Sequence, residues 1–124
     1  GNPVPAAVGL AVLDTVKAEG LPENAQAIGS YLKARLAELA AQADGLGRVR
    51  GAGLFLGVEI VDPRTGDPEP KKARAIINQM CRRGVLIGLT GPAGNVLKIR
   101  PPLVFDRSNA DLVVDTLGEV VRAA

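Results

Sequence analysis

The chain has no histidine, no tryptophan, one cysteine and only three aromatic side chains, Tyr31, Phe55 and Phe105. Each shortage excludes something. Without histidine, neither the common zinc sites nor a Ser-His or Cys-His nucleophile can be assembled within these residues. Cys81 stands alone, so no intramolecular disulfide forms and a reducing compartment is favoured. So few aromatics give no platform on which nucleic-acid bases could stack. Fifteen Lys and Arg against 13 Asp and Glu leave a net charge of +2, too weak and too scattered to follow a phosphate backbone. No stretch approaches the ~20 apolar residues of a membrane span, and the N-terminus lacks the basic segment and apolar run of a signal peptide. The expectation is a cytoplasmic protein that engages neither nucleic acid nor membrane.

What is present is aliphatic. The chain is 47% apolar with 2% aromatic, so its core is built from Val, Leu, Ile and Ala. Its 124 residues predict a single domain. Pro3 to Glu19 reads as a helix, with proline near its start and Gly20 as its stop. Its first half, Val4 to Leu13, is uncharged, so it is either a central core helix or half of an interface; the second is preferred, because so small a domain has little material to surround a terminal helix. Pro22 to Ala43 reads as a second helix, with Ile28, Leu32, Leu36 and Leu39 as its apolar stripe and Lys33, Arg35 and Glu38 on solvated faces.

Val49 to Val61 predicts one strand, with Ala52, Leu54, Leu56, Val58 and Ile60 on one face and Gly51, Gly53, Phe55, Gly57 and Glu59 on the other. The glycines mark either a close approach by another element or bends in the strand. Asp62 to Pro70 is a loop. Lys71 to Arg83 predicts a third helix that buries Ala73, Ile76, Ile77, Met80 and Cys81, which makes Cys81 a core thiol. Val85 to Ile87 and Val96 to Ile99 follow as two strands. The glycines at 88, 91 and 94 between them suit a hairpin better than a phosphate cradle, because a strand and not a helix follows. A last helix, capped by Asp106 or Ser108, carries Leu112, Val113, Leu117, Val120 and Val121. The element order predicts an α+β fold: a small, largely antiparallel sheet of about three strands, covered by helices on one face. The other face is expected to carry Gly51, Gly53 and Gly57, with Lys98 and Arg100.

The segment Asn95-Val-Leu-Lys-Ile-Arg-Pro-Pro-Leu-Val-Phe105 is the most informative in the chain. Alternation on a strand sends Lys98 and Arg100 to one side and Leu97 and Ile99 to the other. Paired cations beside a rigid proline turn suit an anionic group, carboxylate or phosphate. Protection of a sheet edge against unwanted pairing is the alternative use of such charges.

Three segments then resemble a known family in order and spacing: Gly1-Asn2-Pro3 leading into a small-residue helix ending Leu13-Asp14, Val49-Arg-Gly-Ala-Gly-Leu-Phe-Leu-Gly-Val-Glu59, and Lys98-Ile-Arg-Pro-Pro-Leu103. Together they resemble the C-terminal small domain of the class III aminotransferases, fold type I enzymes that use pyridoxal 5'-phosphate (PLP). The resemblance implies that the chain is one domain, residues 1–124, of a longer homodimeric enzyme acting on a small amino substrate. The missing N-terminal large domain would hold the Schiff-base lysine and most cofactor contacts. This segment alone is therefore expected to be inactive and to bind no PLP, and none of its residues is assigned a catalytic or cofactor-binding role.

Many family members have arginine three residues before the first of the two prolines, gripping the substrate carboxylate. Lys98 stands there instead, with Arg100 two residues on. A lysine lacks the planar fork that reads a carboxylate bidentately, and this variant resembles the branch that includes PLP-dependent phospho-lyases acting on phosphorylated amino alcohols or amino acids. Lys98 and Arg100 are thus the candidate substrate contacts. A rival reading of another class is a stand-alone regulatory α+β module that holds a small anion with the same two cations.

Overall fold

A computed structural model describes residues 1–123. The elements are α1 (Pro3–Ala18), α2 (Leu21–Gln42), β1 (Leu46–Ala52), β2 (Phe55–Ile60), α3 (Pro70–Arg82), β3 (Gly88–Thr90), β4 (Val96–Ile99) and α4 (Arg107–Arg122). The aliphatic stripes anticipated for α2 and α3 meet the strands in one core: Leu32, Leu36 and Leu39 from α2, Ala73, Ile76 and Met80 from α3, and Leu56, Val58, Ile60, Leu97 and Ile99 from the sheet. From α4, Val113, Leu117, Val120 and Val121 close the same cluster. The four strands form one antiparallel sheet in the order β1-β2-β4-β3. The fold is α+β, with one strand more than the sequence predicts.

The extra strand comes from the region expected to run unbroken from Val49 to Val61. It is a hairpin: β1 and β2 pair Ala52 with Phe55 across a two-residue turn at Gly53-Leu54. Gly53 has φ +51° and Gly51 φ +121°, values that favour glycine, so the chain reverses here instead of continuing. The register also dissolves the expected glycine row. Gly51 pairs with Leu56, on the helix-covered face, while Gly57 pairs with Arg50 on the open one. A close approach occurs as well, on the opposing helix: a Cβ at Gly29 of α2 would stand 2.2 Å from the Gly53 carbonyl oxygen.

Two further expectations are corrected. Val85 to Ile87 is not a strand; the edge strand β3 begins at Gly88 and pairs with β4 through Gly91 to Gly94, a turn closed by Gly94 N–H donating to the Gly91 carbonyl at 3.0 Å. The hairpin reading of this loop holds. Cys81 is exposed, not buried. The buried stripe of α3 runs through Ala73, Ile76 and Met80, and a residue one step beyond Met80 is turned about 100° away from it.

Helix α1 lies outside the core. Asn2 caps it, its Oδ1 accepting from Val4 N–H at 3.1 Å, and Pro3 opens it, but it buries no residue. Val4, Val8, Leu10, Val12 and Leu13 are all exposed, and among the described residues α2 is the only element it meets. The central-core reading of this helix is overturned. Among the described residues no helix is long and apolar enough to cross a membrane.

Candidate functional site

The face of the sheet opposite the helices carries one continuous row across its strands. Arg50 of β1 pairs with Gly57 of β2, Gly57 with Lys98 of β4, and Lys98 with Gly88 of β3. Leu97 and Ile99 point the other way into the core, 0% and 2% exposed, and this anchoring is what aims Lys98 at the open face. Val96 shares the face with Lys98 yet is buried, because it sits where Cβ atoms on Gly57 and Gly91 would stand only 3.0 and 2.9 Å from its methyl groups. Arg50 is already engaged, its Nη1 3.0 Å from Glu59 Oε1. Lys98 is half-buried and, among the described residues, pairs with no carboxylate.

The strand ends at Ile99. Arg100 precedes Pro101, which offers no N–H and pushes its predecessor to extended backbone, so Arg100 stands just past the ladder and is exposed. It lines a groove of about 320 Å³ between the proline turn, residues 84–87 and α4, together with Ile87, Pro101, Pro102, Phe105 and Leu112. Lys98 is not among the lining residues of that groove. The structure therefore keeps Lys98 on the sheet face and turns Arg100 toward the turn, and does not gather the two into one cavity.

The turn itself is pinned from α2. Asn24 Nδ2 donates to the Leu103 carbonyl at 2.7 Å and to the Phe105 carbonyl at 3.0 Å. Behind it, Asp106 caps α4 by accepting from Asn109 N–H at 2.9 Å and from the Ser108 hydroxyl at 2.8 Å. These bonds, the Asn109 amide first, hold its carboxyl below the usual carboxylate range.

The polar residues of α2 assigned to solvent do more than that. Arg35 Nη1 donates to the Tyr31 hydroxyl at 2.9 Å and to Asp111 of α4, and Tyr31 donates to Asp111 at 2.6 Å. Tyr31, chiefly through its hydrogen bond, holds the Arg35 pKa above its ordinary value against the opposing desolvation, and the charges of Asp111 and Asp115 add smaller contributions. Arg107 lies over the Tyr31 ring at 4.2 Å. This group fastens α2 to α4. Lys33 donates to the Gly51 carbonyl at 2.8 Å and steadies the β1–β2 turn. Neither role was visible in sequence, since Lys33 depends on Gly51, 18 residues away, and Arg35 on Asp111, 76 residues away.

A Schiff-base lysine is held in a desolvated position, and none of Lys17, Lys33, Lys71, Lys72 and Lys98 is buried. Among the described residues no cluster of His, Cys, Asp and Glu could hold a metal ion. Lys98 gives the open face a cation, and Arg100 gives one to the groove.

A family model for the class III aminotransferases matches residues 1–121. The chain belongs to the class III aminotransferases. It is 45% identical over 118 residues to an Arabidopsis thaliana protein named alanine–glyoxylate aminotransferase 2 homolog 2, mitochondrial, covering 94% of this chain and 25% of that one. A solved Arthrobacter phospholyase in complex with phosphoethanolamine is 41% identical with a TM-score of 0.96, over 99% of this chain and 29% of that chain. An amine transaminase from an uncultivated Pseudomonas species, solved in a PLP-bound form, is 36% identical with a TM-score of 0.81, over 92% of this chain and 26% of that chain. The chain spans about a quarter of the length of the curated relatives it matches. The chain is thus similar both to a protein named as an aminotransferase and to one named as a phospholyase.

Proposed function

We propose that residues 1–124 form the C-terminal small domain of a PLP-dependent class III aminotransferase that moves an amino group between an amino compound and a keto acid or aldehyde. The observation that carries this reading is the family match along the chain, together with a cation, Lys98, aimed at the open face from the strand that leads into the double proline. In this reading the Lys98 ammonium attracts and orients the anionic group of the substrate, and Arg100, at the end of the same strand, is the second contact. In keeping with the family resemblance, attachment of PLP and its electron-sink chemistry belong in this reading to the remainder of the protein, a large N-terminal domain and a second subunit. The chain alone is then inactive. The free Cys81 thiol is in keeping with work in a reducing compartment, the cytoplasm.

A second reading has its own support. Lys98 replaces the bidentate fork suited to a carboxylate with a compact charge suited to a phosphate, and the Arthrobacter relative is a phospholyase with phosphoethanolamine bound. A phospho-lyase acting on a phosphorylated amino alcohol or amino acid is therefore the alternative. The stand-alone anion-binding module has no observation of its own in its favour.

The full-length protein, offered alanine with glyoxylate and, separately, phosphoethanolamine, separates these readings. Pyruvate and glycine formation supports the aminotransferase; release of inorganic phosphate without amino transfer supports the phospho-lyase. A full-length protein with neither activity and no PLP absorbance overturns both. The isolated chain, mixed with PLP and reduced with borohydride, is expected to show only scattered surface labelling, and a stoichiometric adduct at one lysine would contradict the placement of the cofactor elsewhere.

A further inference from the structure

Lys98 has a glycine at each of its registered positions, Gly57 on β2 and Gly88 on β3, and the two glycines serve different ends. The space beside Gly57 is occupied by its neighbours: a Cβ there would stand 3.0 Å from Val96 Cγ1 and 3.9 Å from Arg50 Cγ. The space beside Gly88 is taken by Lys98 alone. A Cβ at Gly88 would stand 3.3 Å from Lys98 Cε and 3.9 Å from its Nζ, with no other atom from outside the adjoining chain within 4 Å. Carbon atoms in ordinary contact lie about 3.5–4.0 Å apart, so a Cβ here would make the end of the lysine give by a few tenths of an ångström, and a longer side chain would compete with it for the same space.

The backbone does not ask for glycine at this position. Gly88 is not among the glycines with positive φ, and it lies in a regular three-residue strand, where glycine is the weakest choice. What it supplies is room. Lys98 uses that room to lie across β3, the outermost strand of the sheet, which is why it is only half-exposed on a face no helix covers.

We propose that Gly88 is a positioning residue for Lys98: its missing side chain lets the ammonium lie down across the edge strand, and this fixes the point on the open face that an anionic substrate group must reach. The inference rests on the reading of Lys98 as the substrate contact. It adds a specificity determinant, since a Cβ at position 88 would displace the end of Lys98 by a few tenths of an ångström, and a bulkier residue by more.

The test is a double-mutant cycle in the full-length enzyme. Gly88→Ala should raise KM for the anionic substrate by roughly threefold to tenfold with kcat nearly unchanged, as expected for a displaced binding contact, and should have no further effect in a Lys98→Ala background. If Lys98→Ala raises KM while Gly88→Ala does not, the positioning role is wrong and the Lys98 reading survives. If Lys98→Ala changes nothing, both are wrong. If Gly88→Ala is as harmful with Lys98 removed as with it present, glycine serves the fold alone and the inference fails. A crystal structure of the wild-type full-length enzyme gives an answer that needs no folded variant: a Lys98 side chain standing clear of Gly88 overturns the inference.

Discussion

Asn95 and Ile60 exchange two hydrogen bonds: Ile60 N–H donates to the Asn95 carbonyl at 2.8 Å, and Asn95 Nδ2 donates back to the Ile60 carbonyl at 2.9 Å. The pair joins the start of β4 to the end of β2, and Asn95 is buried. Lys98 lies three residues further along the strand that this clamp starts.

Asn95→Ala removes the side-chain half of the clamp, while the Ile60 carbonyl keeps the Glu69 N–H that donates to it at 3.0 Å. The expected loss is about 0.5–1.5 kcal/mol, the net worth of one hydrogen bond, read as a lower urea midpoint at unchanged slope. An unshifted midpoint would show that the ladder alone sets the start of β4.

Gly29→Ala puts a Cβ 2.2 Å from the Gly53 carbonyl oxygen, backbone against backbone, so α2 must shift away from the β1–β2 turn. This overpacking should cost about 3 kcal/mol or more, measured by thermal or urea unfolding. A variant as stable as the wild type would mean that the helix and the turn are not in contact.

Acid should weaken the chain through Asp106 and Asp62. Asp62 is held below its ordinary range chiefly by the Arg64 backbone N–H, and Asp106 by that of Asn109. A carboxyl with a lowered folded pKa contributes stability that is fully present above its unfolded value, near 3.9, and is lost as pH falls through the folded one. The melting temperature should therefore decline below about pH 4. Asp106→Asn, which caps a helix comparably but does not titrate, should leave neutral stability close to wild type and reduce that decline. An identical acid profile in the variant would remove Asp106 from the account.

Helix α1 should be unprotected when the chain is alone. A 16-residue helix that buries nothing is marginal in water. Its amides should exchange with solvent far faster than those of α2, and sedimentation should show association through Val4, Val8 and Leu10 at high concentration. In the full-length protein the same amides should be protected. Slow exchange in a strictly monomeric chain would contradict the interface reading of this helix.

Where periodicity alone decides, the sequence was legible. Leu32, Leu36 and Leu39 on α2 and Leu97 and Ile99 on β4 are buried as their spacing predicts. It misled where two periods agree by accident. Leu54 keeps the alternation of Leu56, Val58 and Ile60 while sitting in a turn, so the hairpin looked like one strand. Cys81 follows a buried methionine at the margin of its stripe, and hydrophobic character alone does not say which side of that margin it takes. Lys98 could be singled out because of the prolines after it. Its relation to Gly88 could not, since cross-strand register depends on where β3 starts, and β3 starts at Gly88 rather than at Val85.

The central claim is that Lys98 meets the anionic group of the substrate, and its most direct measurement is steady-state kinetics of Lys98→Ala in the full-length enzyme, with Leu97→Ala as the folding control. The account predicts a KM raised about 10- to 150-fold, the equivalent of a charge-assisted bond of about 1.5–3 kcal/mol, with unfolding nearly unchanged, whereas Leu97→Ala costs about 2–5 kcal/mol of stability. Lys98→Arg should retain or improve binding of a carboxylate and impair that of a phosphate fitted to a compact ammonium. Unchanged kinetics for Lys98→Ala would contradict the claim and leave Lys98 as a charge that guards the sheet against unwanted pairing.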